Sequence, residues 1–141
     1  MNFEPLTAEH VMRMGPLASV HAGYEVTPEL AVSLEEIGGV AAISTDGSVL
    51  GIGGIAPRWE GVGLAWVWLS RKWRRHARAI THEVARQLEE ADYRRVEIGV
   101  LCDFDAGHRW ASRLGFEKEV DCARCWGSDG RDYSVYVRVK K

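Results

Sequence analysis

The sequence has few of the features that define several classes of protein. Its 141 residues contain only three cysteines, an odd number and too few for a disulfide scaffold. A formal net charge of only −2 beside 46% hydrophobic residues excludes intrinsic disorder. No apolar run approaches the roughly 20 residues that cross a bilayer, and the N-terminus carries acids where a secretory leader has basic residues. We therefore expect one soluble, cytoplasmic domain over residues 1–141, with a single core.

The cysteines offer little for metal chemistry. Cys122 and Cys125 form a C-x-x-C pair, which is half of a zinc site, and Cys102 or His108 are the available further ligands. A second closely spaced ligand pair is missing, and free cysteine is a common core residue. The sequence favours structural cysteines over zinc or redox chemistry.

What the chain does contain is a regular alternation of strands and helices, without repeats or flexible linkers. Apolar periodicity and capping residues predict helices at 8–14, 28–37, 77–91 and 105–114. The same reasoning predicts strands at 2–5, 40–44, 49–56, 64–70, 96–101, 116–125 and 133–139.

Three patterns predict how the strands are arranged. Asp46-Gly47 predicts a hairpin between strands 40–44 and 49–56. Strand 64–70 is apolar on both faces and should be central, whereas the alternation along 133–139 predicts one wet face. The helix between strands 64–70 and 96–101 implies a right-handed crossover. We expect an α/β (α+β) fold: a mixed, mostly antiparallel twisted sheet of about seven strands, with a central parallel pair and helices on both faces.

The most unusual segment is 71–78, which carries five cations. No acid occurs between Glu60 and Glu83, and the segment joins the end of a strand to the start of a helix. Free N–H groups at a helix start favour an anion, while clustered cations there oppose the helix dipole. The segment therefore predicts an anion site, with a solvated basic loop as the alternative.

The element order and the place of this segment resemble the GNAT superfamily of acetyl-CoA-dependent N-acyltransferases. Residues 64–119 carry the resemblance, and they end in the family's "LGF" signature, here Leu114-Gly115-Phe116. The compact form is also similar to a GNAT-like group of tailed-phage proteins, some of them internal virion proteins. The resemblance implies acetyl-CoA (coenzyme A) as co-substrate.

The resemblance also implies a cofactor-binding segment. The strand's backbone would pair with the pantetheine arm and the basic segment would hold the pyrophosphate, through Trp68, Leu69, Ser70, Arg74, Arg75, His76, Ala77 and Arg78. The family's pyrophosphate loop reads Q/R-x-x-G-x-G/A. Two six-residue segments of this chain, 74–79 and 72–77, are possible alignments to it. Neither supplies the first glycine, so side-chain charge would have to compensate for poorer backbone approach.

The family's catalytic residues have no clear counterparts here. Four residues before Gly115, where the family often has a tyrosine as general acid, stands Ala111. We expect Ala111→Tyr to be tolerated by the fold. The strand that often carries a glutamate base in the family has no ionisable side chain here. Glu60, in the preceding turn, is a weak substitute for that base, and the sequence favours reading it as a solvated turn acid. The catalytic residues are therefore unassigned.

A few other side chains are candidates by position. His108 is either a proton shuttle or an exposed helix histidine, and Asp103 or Asp105 is either a polar site residue or a helix cap. Trp73 is placed to cover adenine or a base. The remaining notable tryptophans lie on apolar faces and are read as core: Trp66, Trp68 and Trp110.

Three functions follow. The first is acyl transfer from acetyl-CoA to an unidentified small-molecule or peptide amine. The second is a catalytically degenerate GNAT-fold phage structural or accessory protein, located in the virion with a virion assembly partner. The third, nucleic-acid binding through the basic segment and Trp73, is disfavoured by the net charge of −2. No membrane partner is expected, and the terminal strands would allow a homodimer.

Overall fold

The computed structural model describes residues 1–20 and 26–140. Its strands are β1 (Asn2–Pro5), β2 (Ala18–Val20), β3 (Val40–Ile43), β4 (Val49–Trp59), β5 (Val62–Ser70), β6 (Arg95–Leu101), β7 (Glu117–Ala123) and β8 (Tyr133–Val139). Its α-helices are α1 (Ala8–Met14), α2 (Pro28–Ile37), α3 (Ala77–Glu90) and α4 (Asp105–Arg113). Two 3₁₀ segments, Gly15–Leu17 and Arg71–His76, complete these elements.

The first two helices begin at the capping residues in the sequence. The Thr7 hydroxyl accepts from the His10 N–H at 3.2 Å, and His10 Nδ1 accepts from the Thr7 N–H at 3.0 Å, a reciprocal capping box. The Thr27 hydroxyl accepts from the Leu30 N–H at 3.1 Å, and α2 ends at Gly38, whose φ of 94° suits glycine. Both helix predictions are confirmed.

Seven strands follow the order β1-β3-β4-β5-β6-β8-β7, and β2 pairs with β5. The sheet is mixed: β5 and β6 are parallel, and the other registered pairs are antiparallel. The central place of β5 and its crossover to β6 through α3 are confirmed. Two details differ from expectation, because β2 was not foreseen and the connection over 57–63 shrinks to a turn at Glu60 and Gly61.

The chain divides into two compact units, one of Met1–Ala56 with Ala65–Ile80 and one of Pro57–Leu64 with Thr81–Lys141. The first has its core between α1, α2 and strands β1, β3, β4 and β5. The side chain of α2 that is fully buried there is Ala31, while Ile37 is 42% exposed. Leu30 and Leu34 pack against the same core, whereas Ile37 occupies the last position of the helix.

In the second unit, β8 lies between β6 and β7 and pairs with both. The wet face expected for this strand is wrong: Ser134 is 2% exposed and Tyr136 4%. Their polar atoms have partners instead of water. The Ser134 hydroxyl donates to the Asp121 carbonyl at 2.6 Å, and the Tyr136 hydroxyl lies 2.7 Å from His108 Nδ1.

None of the helices within residues 1–20 and 26–140 combines the length and the hydropathy that a membrane span requires.

Candidate functional site

Residues 71–78, named here the basic turn, follow directly on the end of β5. Ser70 is extended (φ −79°, ψ 165°), and its buried hydroxyl donates to the Leu50 carbonyl at 3.1 Å. Because that hydroxyl fastens β5 to β4, it does not cap the following helix. The chain then turns through Arg71–His76 and continues into α3 without a break.

This helical course limits what the backbone offers to an anion. The Ala77 N–H, at the start of α3, already donates to the Arg74 carbonyl. In a 3₁₀ segment the N–H groups without a helical acceptor are those of its first residues, here at Arg71 and Lys72. An anion beside Arg74–Arg78 would therefore be held mainly by side chains, as the sequence without glycine predicts.

The charges of the basic turn are exposed and uncompensated. The five cations are solvent-exposed, and no ion pair joins any of them to a carboxylate in the described part of the chain. These cations are Arg71, Lys72, Arg74, Arg75 and Arg78. Hydrogen bonds from Ser44 and Ser48, with a smaller contribution from the charge of Lys72, hold the pKa of Asp46 well below its usual range. The turn is thus a patch of positive potential.

The edge of β5 changes partner along its length. Val62–Leu64 pair in parallel with β6 as far as Glu97, where that ladder ends. At the other end of β5, Leu69 and Ser70 pair with β2. The segment 65–68 lies between these two ladders.

The eight residues predicted to bind the cofactor lie in two short segments, 68–70 and 74–78, and both belong to the first unit. Trp68, Leu69 and Ser70 are 3%, 3% and 4% exposed, so their side chains are not available to a ligand. The arginines Arg74, Arg75 and Arg78 are exposed, whereas His76, Ala77 and Trp73 are half-buried. That they contact a cofactor stays a prediction.

Ala111, the position of the family's general acid, is 1% exposed in α4. This burial argues against the expectation that the fold tolerates a tyrosine there, since the phenol ring would have to enter the interior. Glu60 is exposed in the turn between β4 and β5, and its carbonyl accepts from Arg94 at 2.8 Å. It is a solvated turn acid, the reading that the sequence favoured.

His108 is half-buried and engaged at both ring nitrogens, which corrects its reading as an exposed helix histidine. Nε2 lies 3.1 Å from the Leu101 carbonyl and 3.0 Å from that of Cys102, so it must carry a proton. Neutral His108 therefore accepts from the Tyr136 hydroxyl at Nδ1. The sequence missed Tyr136 because alternation placed it on the face expected to be wet.

The acids near His108 are exposed. Phe104, not an aspartate, is the N-cap of α4, and no side chain caps it. Asp105 lies in the first turn, where its charge suits the helix dipole, and Asp103 precedes the helix. Among the three tryptophans read as core, Trp68 is buried and the other two are half-buried; Trp110 donates to the Thr81 hydroxyl at 2.8 Å.

The cysteines are arranged differently from the C-x-x-C expectation. Cys122 lies against Cys102, with 3.2 Å between the sulfur atoms, and all three thiols are free. No group of three or more His, Cys, Asp or Glu side chains suited to a metal occurs in residues 1–20 and 26–140.

Several solved structures with a similar fold are described as acetyltransferases. Ard1 from Thermoplasma volcanium is 15% identical, covers 99% of this chain and 97% of its own, and has a TM-score of 0.81. A GNAT superfamily phosphinothricin acetyltransferase from Sinorhizobium meliloti, in complex with AcCoA, is 18% identical over 98% of this chain and 87% of its own (TM-score 0.73). A ribosomal-protein-S5-alanine acetyltransferase from Vibrio fischeri is 14% identical over 99% and 93%, with a TM-score of 0.70.

A scan against protein-family models finds no match, and a sequence search of curated proteins finds none. At identities this low, the structural similarity shows the fold alone. That fold is the GNAT fold, and the expected fold class is confirmed. The neighbours give no support to the expected similarity to phage proteins.

Proposed function

We propose that the chain is an N-acyltransferase that moves an acetyl or related acyl group from acetyl-CoA to an amine. The observation that carries the proposal is the basic turn: five exposed cations without carboxylate partners among the described residues, at the end of a central strand in an acetyltransferase fold. A similar fold has been solved with AcCoA bound. The ligand chemistry that complements such a turn is a pyrophosphate.

The donor would be held in two places. Arg74, Arg75 and Arg78 would contact the pyrophosphate through charge-assisted hydrogen bonds. The pantetheine arm would pair with the β5 backbone over Trp68–Ser70, in place of the β2 pairs at Leu69 and Ser70. The side chains there are buried and cannot specify the ligand. Because α3 and its apolar stripe begin at Ala77, we favour the frame 72–77 for the loop.

The chemistry asks little of the protein beyond positioning. The lone pair of a neutral amine attacks the thioester carbonyl, the new N–C bond forms, and the C–S bond breaks to release the CoA thiolate. The amine nitrogen then gives up a proton. With alanine at position 111, no tyrosine protonates the thiolate from α4, so solvent or the acceptor supplies that proton and the transfer is slower by the loss of general acid assistance.

A non-catalytic GNAT-fold protein is the second candidate. Buried Ala111 favours it, because the position of the usual acid is part of the interior. On this alternative the basic turn would bind an anion without transfer, as an accessory or structural component of a larger assembly. The phage origin of such a component has no support among the structural neighbours.

Calorimetric titration of the full chain with acetyl-CoA, repeated with CoA, tests the donor site. Saturable binding of both is expected, since the pyrophosphate and pantetheine are common to them. A matched charge control is available in the variant with Arg109, Arg113 and Arg124 changed to Gln, which are exposed cations of the second unit. Absence of binding at millimolar ligand, with the protein folded, rejects the proposal.

Turnover separates the two candidates once binding is established. Release of CoA thiol on incubation with acetyl-CoA and a mixture of primary amines supports the transferase. Binding without thiol release above the uncatalysed rate supports the non-catalytic protein.

A further inference from the structure

Two thiols of the second unit meet across a strand. Cys102 follows the end of β6 and Cys122 belongs to β7, and β8 runs between these strands. Their sulfur atoms are 3.2 Å apart, within van der Waals contact and without a bond between them. No other part of this chain's proposed chemistry uses either residue.

The local backbone explains why the two side chains meet. The strand position between them is Ser134, a small residue, whose hydroxyl donates to the Asp121 carbonyl at 2.6 Å and lies 3.8 Å from the Cys102 sulfur. The register of β7 against β8 shifts between Val120 and Ala123, a bulge that redirects Cys122. The contact is thus set by strand pairing on both sides.

Cys125 provides an internal comparison. It is exposed like Cys122 and only three residues away, but its backbone has a positive φ of 56° and its N–H donates to Asp132 at 2.9 Å. The turn after β7 therefore separates it from the C-x-x-C partner that the sequence suggests. The close thiol pair joins residues 20 positions apart instead.

We propose that Cys102 and Cys122 are a reversible dithiol–disulfide site that hydroperoxides oxidise. A hydroperoxide converts one thiol to a sulfenic acid and leaves as the alcohol, or as water when it is hydrogen peroxide. The other sulfur then attacks the sulfenic sulfur, the S–S bond forms, and water departs. The two thiols lose two hydrogens and two electrons in total, and the peroxide O–O bond accepts them.

Bond formation brings the two sulfur atoms, now 3.2 Å apart, about 1 Å closer, to an S–S distance of about 2.05 Å. Because β8 lies between β6 and β7, the backbone after β6 must also shift towards β7. Reagents reach both thiols: Cys122 is exposed, and Cys102 lines a surface depression of about 490 Å³ with Leu101, Asp103, Arg131 and Asp132. Exposure also makes the resulting bond accessible to small thiols, which is why the site is reversible.

The surroundings of Cys122 slow its reaction with an oxidant at neutral pH. The hydrogen bond with Cys102, partial desolvation and the nearby carboxylates of Asp132 and Asp121 raise the pKa of Cys122 to about 11. Of these carboxylates, Asp121 also pairs with Lys118. Thiolate is the reactive form, so oxidation is expected to be slow at neutral pH and faster in alkaline solution.

Peptide mapping of the full chain tests the site. The reduced protein is treated with hydrogen peroxide, the remaining thiols are alkylated, and the digest is analysed without reductant. We expect a linked Cys102–Cys122 peptide that disappears on treatment with dithiothreitol. The link should persist in Cys125→Ser and be lost in Cys102→Ser and Cys122→Ser.

The outcomes are distinct. A Cys122–Cys125 link in the wild type, or sulfinic acid without any link, overturns the proposal. Far-ultraviolet circular dichroism checks that each variant is folded, and Cys102→Ala replaces Cys102→Ser if the latter is not. Because no step involves CoA, this result is independent of the proposed acyl transfer.

Discussion

The arginines of the basic turn and two arginines of the second unit, Arg95 and Arg138, have opposite surroundings. Arg95 contacts two carboxylates, Glu97 at 2.8 Å and Glu119, and Arg138 contacts Glu89 at 2.6 Å. The cations of 71–78 have no such partner among the described residues. Cations already paired within the fold contribute to its stability, whereas unpaired, clustered ones are available to a ligand. Four predictions follow from this difference.

The largest effect is expected on ligand binding when the basic turn is neutralised. Changing Arg74, Arg75 and Arg78 to Gln should weaken CoA binding by about 100-fold or more, because charge-assisted contacts to the pyrophosphate are lost. The salt dependence of binding should fall with it. Stability should hold or rise by up to about 1 kcal/mol, because the cations oppose the dipole of the following helix. Calorimetry and thermal denaturation with and without CoA measure both.

The control variant with Arg109, Arg113 and Arg124 changed to Gln loses the same charge and should retain the CoA affinity. If the basic-turn variant kept the wild-type thermal shift with CoA, the basic turn would not be the cofactor site. Equal losses in both variants would indicate a general charge effect instead.

The next prediction concerns the packing around Ala111 in the interior of the second unit. Ala111→Tyr should lower the free energy of unfolding by about 1–3 kcal/mol, because a ring is forced into a site where alanine is 1% exposed. Urea unfolding measures the loss. Unchanged stability would show that α4 can accommodate the ring. CoA-thiol release by the variant would then test whether the introduced phenol acts as a general acid.

Removing a paired arginine should have a smaller cost. Arg95→Gln should lower the free energy of unfolding by about 1 kcal/mol, because its side chain is only 28% exposed and joins two carboxylates. Arg109→Gln, an exposed arginine of the same unit, should change it by less than about 0.5 kcal/mol. Equal effects of the two substitutions in urea unfolding would remove the distinction between paired and unpaired cations.

The smallest expected effect concerns the stability of the protein at acidic pH. Hydrogen bonding to Arg95 lowers the pKa of Glu119, and hydrogen bonding to Arg138 lowers that of Glu89. Groups with a depressed folded-state pKa stabilise the protein above their unfolded pKa, and this stability is lost as the pH falls through the folded value. The difference in stability between wild type and Glu119→Gln should therefore shrink from about pH 5 downward. A difference independent of pH in urea titrations contradicts the ion pair.

The sequence predicts the parts of this fold that depend on neighbouring residues. Thr7 and Thr27 cap helices because the hydroxyl reaches N–H groups three residues away. Asp46-Gly47 forms a turn because Gly47 adopts a φ of 85° at no steric cost. The basic turn was recognisable for the same reason, since its charge and its place between strand and helix are both local.

What the sequence did not predict depends on pairing between distant segments. Alternation on β8 indicated a wet face, but β8 is covered on both faces and Tyr136 finds His108, 28 residues away. The C-x-x-C spacing pointed to Cys125, whereas strand register brings Cys122 to Cys102. Strand β2 has only three residues, too few for a periodic signal.

Within the described residues, strand β2 pairs with the end of β5 at two positions, Ala18 with Ser70 and Val20 with Leu69. The proposed pantetheine position uses the same backbone groups, so this chain segment and the ligand compete for them. If the ligand binds only after β2 has left the end of β5, its apparent affinity is reduced in proportion to the fraction of molecules in which β2 has left. The Kd measured on the whole chain is then larger than the Kd of the site without β2. The observed binding rate levels off at the rate of β2 release as the CoA concentration rises.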